Sequence, residues 1–195
     1  EATMARLGIA SAFAGAGSHR SVTWFLRGRA VRCQTLPAPA RAISRFVLDA
    51  RLAALFVAGG GKLNTQARLT VPAGRPGWVD TAGRKLSGSS PWLGLKLHAR
   101  NLAAADDLEL HLGDGAYVGL SSVEDGWSNV CGLFRRRSGL RLDRELALTA
   151  YLRACGLSGL AERLDGAEIR PDSRKAMAGL VVNRRVPPAA GLHLG

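Results

Sequence analysis

The stretch WLGLKLHARNLAAADDLELHLGDGAYVGLSSVEDGWSNVCGLF, residues 92–134, decides the fold. In its first residues Leu93, Leu95, Leu97 and Ala99 fall on one side, and Lys96, His98 and Arg100 on the other. A period of two is the pleat of a β-strand. Leu108, Leu110 and Leu112 repeat the pattern against Glu109 and His111. The runs AYVGLSSV and WSNVCGLF follow, separated by Glu124-Asp125-Gly126, residue types that favour a hairpin turn. Four strands with short connections predict an antiparallel meander with one leucine-lined, buried face and one polar face. On this reading His98 and His111 face each other across the first hairpin, beside Lys96 and Glu109. Alternation alone makes that side a solvated sheet face before it makes it a cavity wall.

Helical spacing lies on either side of this block. Downstream, Asp143 or Arg144 opens a helix that runs to Cys155, with Leu146, Ala150, Tyr151 and Ala154 on one side and Gly156 as its stop. A shorter helix, Leu157 to Leu164, follows, and Ala176–Asn183 and Gly191–Leu194 read as strands. Upstream, Ser44 follows the Pro-containing loop TLPAPARAI and fits a helix N-cap. Phe46, Leu48, Leu52, Leu55 and Phe56 then recur at helical intervals as far as Gly59-Gly60-Gly61. Ala5–Ala16 suggests a short helix, and Ser21–Leu26 and Lys62–Val71 suggest strands. The fold class is therefore α/β (α+β): an α/β part, an antiparallel part and a last strand that returns.

Composition narrows the function. With 47% hydrophobic and 22% charged residues, the 195-residue chain has the ordinary globular mix, which excludes a disordered or fibrous protein. No run approaches the roughly 18 apolar residues of a membrane helix. The opening residues lack the pattern of a signal peptide, and Glu1 stands where an initiator Met belongs. Together with a last strand that has nothing after it, this leads us to expect an internal piece of a longer protein. The net charge of +12 comes mainly from Arg, since only Lys62, Lys85, Lys96 and Lys175 are lysines. The arginines are scattered apart from Arg135-Arg136-Arg137, and aromatics are only 6%, so a solvated surface is a better reading than a nucleic-acid face. Cys33, Cys131 and Cys155 form no CxxC pair, and the four histidines show no metal-ligand spacing. Reduced cysteines imply a cytoplasmic protein, with no metal. Phosphate-loop patterns fail: Arg20 stands where Gly15-Ala16-Gly17 needs its third glycine, and Leu63 follows Gly61-Lys62 where Ser or Thr is required. No GxSxG elbow is present.

Four strings, in order, carry a resemblance. ISRFVLDARL, residues 43–52, resembles an SR-x-x-LD-x-x-L helix start, and WVDTAGR, residues 78–84, resembles a V-D-A-[ST]-G-R strand and turn. Residues 92–134 are similar to a substrate-domain meander with lGlkaH, G-G-Y-x-G and G-x-x-N-V-x-x-L segments. GLHLG, residues 191–195, looks like the strand entering a G-D-A motif. The family is that of FAD-dependent oxidoreductases with p-hydroxybenzoate hydroxylase-like architecture: aromatic-ring monooxygenases, geranylgeranyl reductases and flavin-dependent halogenases. There are departures. The GxGxxG unit and the Asp of G-D-A are not within the chain, and Val71 and Gly77 are only six residues apart, where relatives usually carry extra strands.

The resemblance implies a partial, Rossmann-like FAD-binding domain over residues 1–88 and an antiparallel substrate domain with helices over 89–185. It makes 186–195 a return strand. It implies FAD as cofactor, with NAD(P)H as a candidate electron donor, and monooxygenation or reduction of a small organic, apolar substrate. Arg45, Asp80, Gly83, Arg84 and Gly195 would hold the cofactor, His98 and Tyr117 would line the substrate pocket, and the catalytic residues are not assigned. The piece alone is expected to be inactive. The rival reading is a non-enzymatic basic α+β module that contacts nucleic acid or a protein partner. Oligomeric state is not legible.

Overall fold

The computed structural model describes residues 2–67, 76–79, 81, 88–103, 107–140, 143 and 147–181. The chain opens with α1 (Ala2–Arg6) and a 3-10 turn (Ala10–Phe13), broken at Gly8, so the predicted helix over Ala5–Ala16 is two short turns. The strands β1 (Gly17–Leu26) and β2 (Arg29–Ala42) then form an antiparallel hairpin. β2 corrects a prediction, because it runs through the Pro-containing stretch that the sequence assigns to a loop. The ladder steps from Ser21↔Thr35 to His19↔Ala40, so Leu36-Pro37-Ala38-Pro39 bulges out opposite Arg20 alone. Two prolines without N–H groups are tolerated there because β2 is the sheet edge. Residues 62–67 form no strand, and the remainder of the predicted strand to Val71 lies outside the described residues.

Helix α2 (Arg45–Ala58) starts at Ser44, whose hydroxyl accepts the Val47 N–H, and ends at Gly59, as expected. None of its side chains is buried, and Phe46 is 73% exposed with the Arg170 guanidinium 5.9 Å from its ring. Then come β3 (Trp92–Arg100), β4 (Leu108–Gly113), β5 (Ala116–Ser122) and β6 (Ser128–Arg135). Helices α3 (Ala147–Ala154) and α4 (Ser158–Asp165) follow, and β7 (Glu168–Ile169) and β8 (Lys175–Ala178) complete the described elements. The last predicted strand, 191–194, lies outside the described residues. No described helix is long and apolar enough to cross a membrane.

The strand order is β2-β1-β4-β5-β6-β3-β7, with β8 also on β3. The meander β4-β5-β6 is as predicted, but β3 pairs with β6 instead of β4. The edge of β4 is taken by β1 in parallel, so one sheet runs through strands from both halves of the chain. His98 and His111 are therefore not partners across a hairpin. Three strand spacings, about 14 Å, lie between their strands, and the two side chains project from opposite faces of the sheet.

On one face Leu93, Leu95, Leu97, Val118, Leu120, Val130 and Phe134 pack under Leu148, Tyr151, Leu152, Leu160 and Leu164 of α3 and α4. Burial of this apolar surface is the main stabilising term. Gly156, at φ +76°, stops α3 and lets the chain turn back. β4 reverses the expected sidedness. Glu109, 0% exposed, and the buried His111 point to the helix-covered face, while the three leucines take the other. The reason is Arg163 of α4, which donates to Glu109 Oε2 and Oε1 at 2.7 and 3.0 Å. His111 Nε2 lies 2.8 Å from the same carboxylate, and its ring stacks on Phe25 at 4.4 Å.

Removing one partner of a buried ion pair leaves an uncompensated charge. Arg163→Met should lower the free energy of urea unfolding by about 3–5 kcal/mol, with the double variant Glu109→Leu/Arg163→Leu recovering most of it. A single variant as stable as the wild type would contradict this account of the register.

Candidate functional site

The sheet face turned away from α3 and α4 carries Lys96 and His98 of β3, Cys131 and Asn129 of β6, Gly119 and Ser121 of β5, and Leu108 and Leu110 of β4. His98, Asn129 and Ser121 stand directly opposite one another across β3, β6 and β5, which makes a polar row. His19 extends it, its Nε2 lying 3.1 Å from Ser121 Oγ and 3.0 Å from the Ser122 carbonyl oxygen. The backbone of His98 is pinned from the other edge: its N–H donates to Ser173 Oγ at 2.8 Å, and its carbonyl accepts from the Arg170 N–H.

The start of α2 is fastened over this face by one carboxylate. The 3-10 turn Glu124–Gly126 joins β5 to β6, with Asp125 and Gly126 at positive φ, as the Glu-Asp-Gly string leads one to expect. The turn is steadied by Arg100, which donates to the Asp125 carbonyl and stacks 4.1 Å over Trp127. Glu124 Oε2 accepts the Ser44 N–H at 2.8 Å. Burial works to raise the Glu124 pKa, but hydrogen bonds from the Ser44 side chain and backbone outweigh it and hold the carboxyl below its ordinary range. A carboxylate at a helix N-terminus is also favoured by the backbone dipoles there.

Between the fastened helix and the polar row lies a cleft of about 150 Å³. Arg41, Ser44 and Arg45 line it from the end of β2 and the start of α2, and Lys96, Ser121 and Asn129 from the sheet. Arg45 pairs at 3.1 Å with Asp49, one turn along its own exposed helix. His98, 6% exposed, lies beside Asn129 in the polar row. Burial lowers its pKa below the usual 6.5; Lys96 and Arg170 lower it further, and Glu124 and Asn129 oppose them. His98 is therefore neutral at pH 7.

Of the residues predicted from the sequence, Arg45 lines the cleft, and His98 stands beside Asn129 in the adjoining polar row without lining it. Tyr117 shares the open face but is 43% exposed and four residues along β5 from Ser121, about 13 Å away. It leans over Gly119, its hydroxyl 3.7 Å from where a Cβ on that glycine would stand. Asp80, Gly83, Arg84 and Gly195 lie outside the described residues. Sequence reasoning missed Lys96, Ser121, Glu124 and Asn129 as one group. Asn129 stood within the G-x-x-N-V-x-x-L string, but only the β3–β6 pairing sets it against His98. Among the described residues no group of three or more His, Cys, Asp or Glu side chains could hold a metal ion.

No protein-family model matches the sequence, and neither does any curated protein. Solved structures match its fold. Klebsiella pneumoniae HpxO, complexed with FAD and uric acid, is 17% identical with a TM-score of 0.59, over 89% of this chain and 55% of that one. Native FqzB is 12% identical with a TM-score of 0.67, over 95% and 55% of the two chains. The flavin-dependent brominase Bmp2 is 12% identical with a TM-score of 0.62, over 90% and 54%. The chain spans about half the length of these proteins, and what it shares with them is the fold, a mixed α/β architecture with a largely antiparallel sheet. That is the fold the resemblance implies.

A neutral buried His98 fixes the sign of a pH effect. Unfolding frees it to bind a proton below its ordinary pKa of 6.5, so its contribution is complete above that pH and is lost as the pH falls through and below it. Urea midpoints should drop from about pH 7.5 to about pH 5.5, and His98→Gln should make the drop shallower. Equal slopes in both proteins would oppose the assignment.

Proposed function

We propose that this chain supplies the substrate sheet and part of the cofactor-binding region of an FAD-dependent oxidoreductase that acts on a small organic molecule. The observation that carries the reading is the cleft itself. A capped helix start bearing Arg45 is fastened over the face turned away from α3 and α4 in a sheet whose fold flavoproteins share.

The residues present suit the cofactor in part. A cleft of about 150 Å³ is below the ~300 Å³ at which pockets begin to enclose a whole ligand, so it takes a segment of FAD and not the entire molecule. Its lining offers cations and hydroxyl or amide donors, the chemistry of a phosphate or ribityl contact. An exposed i,i+4 pair such as Arg45–Asp49 contributes only roughly 0.3–0.5 kcal/mol, so the guanidinium exchanges Asp49 for a cofactor oxygen at little cost. Beyond the cleft, Gly119, Leu108 and Leu110 leave a flat, partly apolar strip on which a planar ring can lie.

Asp80, Gly83, Arg84 and Gly195 join Arg45 on the strength of the family resemblance, and Tyr117 borders the strip. FAD, when bound, supplies the hydride or electron transfer. The chain's own residues bind and orient: Arg45 holds the cofactor's polar segment, the sheet face supports the ring, and the cleft lining excludes water from the substrate side. NAD(P)H as electron donor, and oxygenation against reduction, are the finer parts of the reading.

Expressed with whatever flanks it in its gene, the protein should retain FAD through desalting and show the flavin absorption band. Arg45→Ala should weaken FAD by about tenfold or more, the value of a charge-assisted hydrogen bond. A protein that takes up no FAD in titration would overturn the proposal.

A further inference from the structure

Lys96 lines the cleft from the sheet, half-buried, and makes no hydrogen bond or ion pair with any described residue. Its direct partner across the β3–β8 ladder is Lys175, and like charges placed opposite each other repel. The other cations of the lining, Arg41 and Arg45, stand on the helix side, and the lining contains no Asp or Glu. Glu124, next in the chain to the lining residue Val123, is already engaged by Ser44. The charge of Lys96 reaches its surroundings, where it adds to burial in lowering the pKa of His98. A half-buried ammonium with no counter-charge has lost hydration without replacement, so its place on a cleft wall is one for an anion.

The surface that continues from Lys96 limits what carries the anion. On the open face Lys96, Cys131, Gly119, Leu110 and Trp24 are successive direct partners across β3, β6, β5, β4 and β1. This row holds no acid, and two strand spacings, about 10 Å, lead from Lys96 to Gly119. A Cβ on Gly119 would stand 3.6 Å from Leu110 Cδ2 and 3.7 Å from the Tyr117 hydroxyl, so the glycine leaves a shallow dent between those side chains. A bare phosphate makes no use of an apolar row, and a neutral apolar molecule leaves the ammonium unanswered. A compact ammonium also suits a single carboxylate, whereas the guanidinium forks of Arg41 and Arg45 suit phosphate. We propose that Lys96 reads a carboxylate head group on a substrate whose apolar body lies along Cys131, Gly119 and Leu110. The inference rests on the flavoenzyme reading only in calling the ligand a substrate. Where the sequence alone leads one to expect an apolar molecule, the row asks for an apolar acid.

Naphthoate and naphthamide share a planar body and differ in charge, and inorganic pyrophosphate has charge without the body. Each is titrated into ¹⁵N-labelled protein without flavin, and the Gly119 and Cys131 amide signals are followed by NMR. Naphthoate should saturate, shift both signals, and bind about tenfold or more tightly than naphthamide, the value of a hydrogen bond to a charged group. Lys96→Met should abolish that preference and leave naphthamide binding unchanged. Lys96→Arg, which keeps the charge and guards against a misfolded Met variant, should retain the preference. Equal binding of the two naphthalenes would mean an apolar strip only, and tighter pyrophosphate a cofactor anchor. Either result, a preference that survives Lys96→Met, or no saturation by any probe at millimolar concentration overturns the proposal. If the protein binds FAD and shows one of those results, the flavoenzyme reading survives and this one falls. If it prefers naphthoate through Lys96 and binds no FAD, the head-group reading survives and the flavoenzyme reading falls.

Discussion

A carboxylate with no contact with water decides which side of this sheet is which. Side chains alternate along a strand, so a shift of one residue would carry Glu109 and His111 to the open face and Leu108, Leu110 and Leu112 under the helices. By hydrophobicity alone that shifted arrangement looks better. It is rejected because Arg163 grips Glu109 with two nitrogens from α4, and a buried carboxylate is tolerated only when its hydrogen bonds are made. The consequence is felt on the opposite surface, where the leucines of β4 become the apolar strip beside the polar row.

The site is then assembled from neighbours in space that are remote in the chain. β3, β6 and β5 bring His98, Asn129 and Ser121 into line, and Glu124 ties the start of α2 to the same end of the sheet. Ser44 acts twice, as the cap of its helix and as the donor that holds Glu124 ionised. Arg45 owes its position in the cleft lining to that double attachment more than to its own contact with Asp49.

Local rules were legible in the sequence, and partner choice was not. The Ser44 cap, the Gly59 and Gly156 stops, and the turn at Glu124-Asp125-Gly126 each depend on a few adjacent residues, and each stands where it was predicted. Alternation in β3 and β4 also identified both as strands. It could not say that β3 would bypass β4 for β6, because either edge accepts the same ladder. Nor could it say that Glu109 turns inward, since its partner stands 54 residues away. The Pro-containing stretch misled because proline argues against a strand only where the N–H is needed, and β2 is an edge. Of the residues that line the cleft, the family resemblance named Arg45, whereas its grouping with Lys96, Ser121 and Asn129 needed the register.

The parallel junction of β1 and β4 bears on how the chain reaches this state. Strands β4, β5 and β6 are joined by tight turns and can collapse quickly, since closing short loops costs little entropy. Val22 and Leu108, paired across that junction, are far apart in sequence, so β1 docks late. Until it does, the flank of β4 displays bare amide and carbonyl groups, an invitation to intermolecular pairing. During synthesis the N-terminal hairpin emerges first and must wait for the strand it will cover, which makes this seam the point at which the nascent protein is most exposed to aggregation.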